Sequence, residues 1–155
     1  MAELVVGVYE EVLGDWLDDE YRVVLADVAG RAEVAEVLVA VDEAGAVVGT
    51  ATYMPPTPGG GDGEGGPGAE AEGRSGIRML AVAPAARRRG WGRALVEACV
   101  ARARADGCRE VALHTTPLMV GAQALYEGAG FVREPAGDRP LPRRGAILGY
   151  VRVLG

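Results

Sequence analysis

With 155 residues the chain has room for one compact domain, 1–155, and little beyond it. Its 22 acidic residues outnumber 16 basic ones, all arginine, and the formal net charge of -6 sets up a field that repels nucleic acid and anionic membranes. A hydrophobic share of 49% is enough for a real core. No signal segment opens the chain and no apolar run reaches membrane-spanning length, so the expected address is the cytoplasm.

The opening "MAELVVGVYEEVL" spaces Leu4, Val5, Val8 and Leu13 as one face of a helix. "YRVVLADVAGRAE" continues in helical fashion with a break expected near Gly30. The period then changes. Val37–Val41 and Val47–Tyr53 are rich in β-formers and are joined by "DEAG", which predicts an antiparallel hairpin. Residues 55–76 carry almost no apolar side chains and are dominated by Gly and Pro, the pattern of a long mobile loop between strands of one sheet. Its acids Asp62, Glu64, Glu70 and Glu72 either steer a cationic ligand or belong to a tolerated insertion, and the second reading is favoured.

"IRMLAVAP" reads as a strand, and a helix is expected from about Gly90 to Asp106, with Leu95, Ala98 and Cys99 inward and Arg93, Glu97 and Arg104 outward. "REVALHTT" predicts another strand, "LMVGAQALYEGAG" a helix closed by Gly128 and Gly130, and "AILGYVRVL" a last strand. If helical backbone separates Cys99 from Cys108, they lie roughly 12 Å apart, too far for a disulfide. They are expected to be free thiols, with no histidine or acid at catalytic spacing.

The chemistry concentrates in "RRRGWGRAL", a basic turn in an acidic protein. A strand, a glycine-bearing turn and a helix in that order present backbone N–H groups at a helix N-terminus, where an anion is favoured. Gly90 and Gly92 permit close backbone approach, and Arg87, Arg88, Arg89 and Arg93 supply guanidinium donors suited to phosphate. A dinucleotide fingerprint would need a third glycine where Leu95 stands, and the P-loop lysine is absent.

"MLAVAPAARRRGWGRALV" resembles the coenzyme A loop of the GNAT superfamily of acyl-CoA-dependent N-acetyltransferases, Q/R-x-x-G-x-G/A after a strand, with Arg87, Gly90 and Gly92 at the patterned positions. "AQALYEGAGF", Ala122 to Phe131, is similar to the family's second signature, A-x-x-L-Y-x-x-x-G-F. The resemblance implies an α/β fold of mixed α+β type: a central, mostly antiparallel sheet flanked by helices, with two parallel central strands that splay apart. It implies acetyl-CoA as co-substrate, bound through the backbone of Leu80, Ala81 and Val82 and by the turn from Arg88 to Arg93, including Trp91. It implies Tyr126 as the general acid that protonates the leaving thiolate after direct attack by an amine. The acceptor is a small-molecule or peptide amine, and metal, nucleic acid and membrane are not called for.

Three departures accompany the resemblance. Met119 stands where the family commonly has a cofactor-contacting asparagine, and Ser75 and Gly76 occupy the region of its frequent general-base glutamate, so no base is assigned. The family opens with a strand before its first helix; without one, "EVLVAV" becomes an exposed edge open to pairing, and a homodimer falls within the expectation. His114 is either the base or a substrate contact, or a histidine satisfied by structural hydrogen bonds, the favoured alternative. Thr115 and Thr116 bond substrate or cofactor or, the favoured alternative, are solvated or cap the next helix. The rival functions are a non-catalytic acyl-CoA-binding module and, more distantly, a nucleotide-binding regulatory domain.

Overall fold

The computed structural model describes residues 1–56, 73–141 and 145–155. Helix α1, Ala2–Leu13, buries Val5, Val8, Tyr9 and Leu13, a stripe at helical spacing. Two short helices follow, α2 at Asp19–Ala26 and α3 at Val28–Val34. The break between them falls at Asp27 and not at Gly30, which lies inside α3. Asp27 causes it, because its carboxylate accepts a hydrogen bond from the Gly30 N–H at 2.9 Å and so caps a new helix.

The hairpin forms as expected from β1, Glu36–Val41, and β2, Val47–Met54. Asp42 Oδ1 accepts from the N–H groups of Ala44 and Ala46, both at 2.9 Å, and this fixes the turn. Strand β3 runs Arg74–Val82, three residues further back than the Gly- and Pro-rich composition suggested. Most of the predicted loop, including Asp62, Glu64, Glu70 and Glu72, lies outside the described residues.

Helix α4 spans Trp91–Ala105, β4 Glu110–Thr115 and α5 Val120–Gly128. The inward stripe of α4 is Leu95, Val96, Cys99, Val100 and Ala103; Ala98 is exposed, because the stripe centres one residue further round than the sequence reading placed it. Two short strands, β5 at Val132–Arg133 and β6 at Arg139–Leu141, precede β7 at Gly145–Val153.

The seven strands run in the order β1-β2-β3-β4-β7-β5, with β6 on β7, and every described pairing is antiparallel except β3 with β4. Strand β1 ends the order, and its Val39 and Val41 are exposed. Helices α4 and α5 cover one face, packing Leu95, Val96, Cys99, Val100 and Tyr126 against Ile77, Val111, Leu113 and Tyr150. Helices α1 and α2 form a second cluster with Met79 of β3 on the opposite side. The two cysteines are free and buried. Among the described residues no helix is long and apolar enough to cross a membrane.

Polar groups fasten the far end of the parallel pair. Arg74 Nε donates to Glu110 at 2.7 Å, and its Nη1 and Nη2 grip both oxygens of Glu134 at 3.0 and 2.9 Å. Nearby, Asp138 accepts from both Nη groups of Arg133 at 2.7 and 2.8 Å and from the Gly149 N–H at 2.7 Å. The Arg133 hydrogen bonds, helped by Gly149, hold the Asp138 carboxyl down to about 2. A depressed carboxyl stabilises the fold above its unfolded value of about 3.9. That contribution should therefore fade as pH falls from about 4 toward 2. Asp138→Asn is expected to lower stability at pH 5 and above and to flatten the loss toward pH 2. Urea midpoints across that range check it; parallel curves for the two proteins would refute it.

Candidate active site

Strands β3 and β4 pair from Arg74 opposite Glu110 to Ile77 opposite Leu113 and no further. Beyond that point β4 continues against β7 alone, His114 facing Gly149 and Thr115 facing Leu148, while β3 continues against β2. The sheet is open between them. The cause is local: the β2–β3 register shifts between Thr50 and Thr52, so Met79 and Leu80 both lie opposite Ala51, and Met79 adopts φ 53. This bulge bends β3 away from β4. A left-handed non-glycine residue costs roughly 1–2 kcal/mol, and the buried Met79 side chain, packed against α1, holds it there.

The open edge of β3 carries hydrogen-bonding backbone. The Ala83 N–H donates to Val48 O of β2 at 2.8 Å. Because alternate residues of a strand point their N–H and C=O to opposite sides, Leu80 and Val82 address the gap and Ala81 addresses β2. On the β4 side Thr115 and Thr116 are buried, not solvated, and neither caps α5; among the described residues their hydroxyls have no hydrogen-bond partner, although buried hydroxyls are normally satisfied.

At the end of β3 a short turn, Pro84–Ala86, leads to α4. Gly90 is the N-cap at φ 84, a conformation that glycine reaches without strain, and among the described residues no side chain caps the helix. The N–H groups of the first turn thus remain donors for an anion. Gly92 has a different task from Gly90: a Cβ there would stand 3.0 Å from Leu125 Cδ2, so its smallness lets α4 close on α5.

The arginines of this turn divide. Arg87 makes a two-pronged ion pair with Glu11 of α1, 3.0 Å at each oxygen, and its Nε donates to Val82 O at 3.3 Å. Arg93 donates to Gly128 O at 2.9 Å, at the end of α5, and to Glu97 at 3.3 Å. Arg88, at φ 63, and Arg89 are exposed beside the helix start. Trp91 is half-buried and packs on the main core.

Tyr126 of α5 is buried, its ring edge-on to Phe131 at 6.0 Å and tilted to Tyr150 at 6.3 Å. Burial, with the neighbouring Cys99, raises its phenol above the usual range, so it holds its proton. Burial likewise pushes the Cys99 thiol up to about 12, which denies it the thiolate a nucleophile needs. His114 Nε2 lies 2.6 Å from Gly137 O, a structural hydrogen bond of the kind favoured from the sequence. Ser75 and Gly76 belong to the closed half of the β3–β4 pair, and Ser75 is fully buried. Met119 packs against the α1–α2 cluster.

Four further side chains gather on the α1 side of the gap: Tyr9, Tyr21, Arg31 and Arg78, all within electrostatic reach of one another. None was singled out from the sequence. Alternation was the available signal: Ile77 faces the α4 core, so Arg78, its neighbour at the first position past the parallel pairing, faces the other way.

A model of the acetyltransferase (GNAT) family matches residues 3–131. No curated protein sequence matches the chain. Among solved structures, a GNAT-family acetyltransferase from Staphylococcus aureus Mu50 is 16% identical and superposes with a TM-score of 0.74 over 99% of this chain and 90% of its own. A Desulfovibrio desulfuricans protein described as a GNAT-family acetyltransferase is 25% identical, with a TM-score of 0.72 over 99% of this chain and 92% of its own. An aminoglycoside 6'-N-acetyltransferase in complex with coenzyme A is 13% identical, with a TM-score of 0.66 over 98% and 89%.

Proposed function

The chain belongs to the GNAT acetyltransferase family, and on that premise we propose that it is a single-domain N-acetyltransferase. It moves the acetyl group of acetyl-CoA to a primary amine by direct attack, with Tyr126 as general acid. The observation that carries this reading is the opening between β3 and β4, which has backbone donors on one wall and, at its end, a helix start that no described side chain caps.

The residues fit an extended ligand with amide groups and a pyrophosphate. Leu80 offers its backbone N–H and C=O, and Val82 its N–H, to a pantetheine chain, and the orphaned hydroxyls of Thr115 and Thr116 would gain partners. The first-turn N–H groups of α4, from Trp91 to Arg93, suit phosphate oxygens, with Arg88 and Arg89 outside them. Arg87 supports the turn from behind through Glu11. In the reaction the amine nitrogen bonds to the thioester carbonyl carbon and the carbon–sulfur bond breaks. The Tyr126 hydroxyl delivers a proton to the departing sulfur, the amine releases one to solvent, and the phenolate takes a proton back from solvent before the next turnover. The coenzyme A held by the aminoglycoside acetyltransferase is consistent with this donor.

Thiol release from acetyl-CoA across an amine panel, with calorimetry for acetyl-CoA and ATP, tests the reading. Turnover on at least one amine is expected. Acetyl-CoA binding with no turnover would favour a non-catalytic acyl-CoA-binding module, and ATP binding without acetyl-CoA binding would sink the donor assignment. Reversing the charge of Arg88 and Arg89 together is expected to weaken coenzyme A binding about tenfold or more, two charge-assisted contacts being lost. Pantetheine, which lacks the phosphates, should bind as before; equal losses for both would overturn the placement.

A further inference from the structure

Arg87 stands at the arginine position of the phosphate-suited turn, yet all three of its guanidinium nitrogens are engaged by the protein itself. Nη1 and Nη2 hold the two oxygens of Glu11, each at 3.0 Å, and Nε donates to Val82 O at 3.3 Å. Glu11 belongs to α1, which packs on the side of the sheet opposite α4. One side chain thus joins three pieces of chain: α1, the last residue of β3 and the turn into α4.

The turn needs such a tie. Arg88 sits at φ 63, left-handed backbone that costs a non-glycine residue free energy. Upstream the backbone holds itself, Ala86 donating to Ala83 O at 2.9 Å and Arg87 to Pro84 O at 3.4 Å. Among the described residues, the N–H groups of Arg88, Arg89 and Gly90 have no backbone partner. Those three residues set where the first-turn N–H groups of α4 point. Side chains anchor them from either end, Arg87 through Glu11 and Arg93 through the Gly128 carbonyl at 2.9 Å. Charge adds a second reason, because Arg87, Arg88 and Arg89 are consecutive like charges and Glu11 neutralises the first of them.

The sign of the effect separates this role from plain electrostatics. A carboxylate near an anion site lowers anion affinity by direct repulsion, and one that occupies an arginine competes with the anion for it. On either of those grounds, removing Glu11 would tighten phosphate binding. A tether that preorganises the turn predicts the opposite, since a loosened turn must be ordered again when the anion binds.

We propose that Glu11 is a positioning residue for coenzyme A, acting through Arg87 to fix the turn whose backbone N–H groups receive the pyrophosphate. The proposal deepens the acyl-CoA reading and rests on it. It also makes α1 part of the donor site, although no residue of α1 touches the donor itself.

Calorimetry on the whole chain with coenzyme A and with pantetheine tests it. Glu11→Gln is expected to weaken coenzyme A binding by about two- to fivefold, the scale of a partly exposed ion pair. Pantetheine, which has no phosphates, should bind as before. The neighbouring Glu10 supplies the control: its carboxylate accepts from Arg22 of α2 at 3.0 Å, a pair of similar exposure on the same helix. Glu10→Gln should leave coenzyme A affinity unchanged. In an Arg87→Gln background, Glu11→Gln should have no further effect, because its route is gone. Unchanged or tighter coenzyme A binding in Glu11→Gln overturns the proposal. So do equal losses for coenzyme A and pantetheine, equal losses in the two glutamine variants, or a Glu11→Gln effect that persists in full without Arg87. A wild-type protein that binds no coenzyme A removes the donor assignment, and the proposal with it.

Discussion

Tyr126→Phe is expected to lower kcat by ~10²–10⁴-fold, the range of a positioned general acid, and to leave acetyl-CoA affinity nearly unchanged. The contacts proposed for acetyl-CoA lie on β3, at the end of β4 and at the start of α4, and the substitution touches none of them. It removes one oxygen and keeps the ring between Phe131 and Tyr150, so folding should survive. The proton balance also favours the role: a phenol raised by burial stays protonated through neutral pH and can donate at every turnover. The sign has a consequence for the pH profile, since titration of Tyr126 can cost activity only above the ordinary tyrosine range of about 10. Steady-state kinetics with calorimetry of acetyl-CoA check both halves, and an unchanged kcat would remove Tyr126 from the mechanism.

The strand, turn and helix around "RRRGWGRAL" were legible because local chemistry dictates them: β-formers, then glycines, then an amphipathic run. What each arginine does was not legible, because distant residues decide it. Arg87 finds Glu11, 76 positions away, and Arg93 finds the Gly128 carbonyl, 35 positions away. A purely local reading sees four equivalent cations where the fold places two outward and uses two as struts.

The origin of the open sheet was equally hidden. Nothing in "IRMLAV" announces a bulge, since methionine is not a residue that left-handed backbone selects. The Met79 conformation is imposed by packing against α1, a tertiary cause. Strands β5 and β6, of 2 and 3 residues, are too short to show a period, and β6 includes Pro140. The Asp27 break was missed for another reason. Glycine is the expected helix breaker, but an aspartate able to cap the next helix is the stronger signal.

Phe131→Ala is expected to destabilise the protein by about 3–5 kcal/mol, the cost of emptying a buried aromatic site. Phe131 is only 2% exposed and is the chain's one phenylalanine. It lies just past the C-cap of α5, which ends at Gly128, and its N–H donates to Tyr126 O at 2.9 Å, so backbone and ring together fix where that helix ends. A loss of that size takes a large fraction of a typical stability of about 5–15 kcal/mol and should lower the melting temperature by roughly 6–20 °C. Phe131→Leu, which retains most of the volume, should lose much less. The pair also separates two roles of the residue. If Phe131 only fills space, the leucine variant should turn over at the wild-type rate wherever it is folded. If the edge-on contact orients the Tyr126 ring, kcat should fall in the leucine variant while acetyl-CoA binding holds. Urea midpoints and kcat measured on the same samples distinguish these outcomes, and an alanine variant within about 1 kcal/mol of wild type would show that the core around α5 collapses to fill the space.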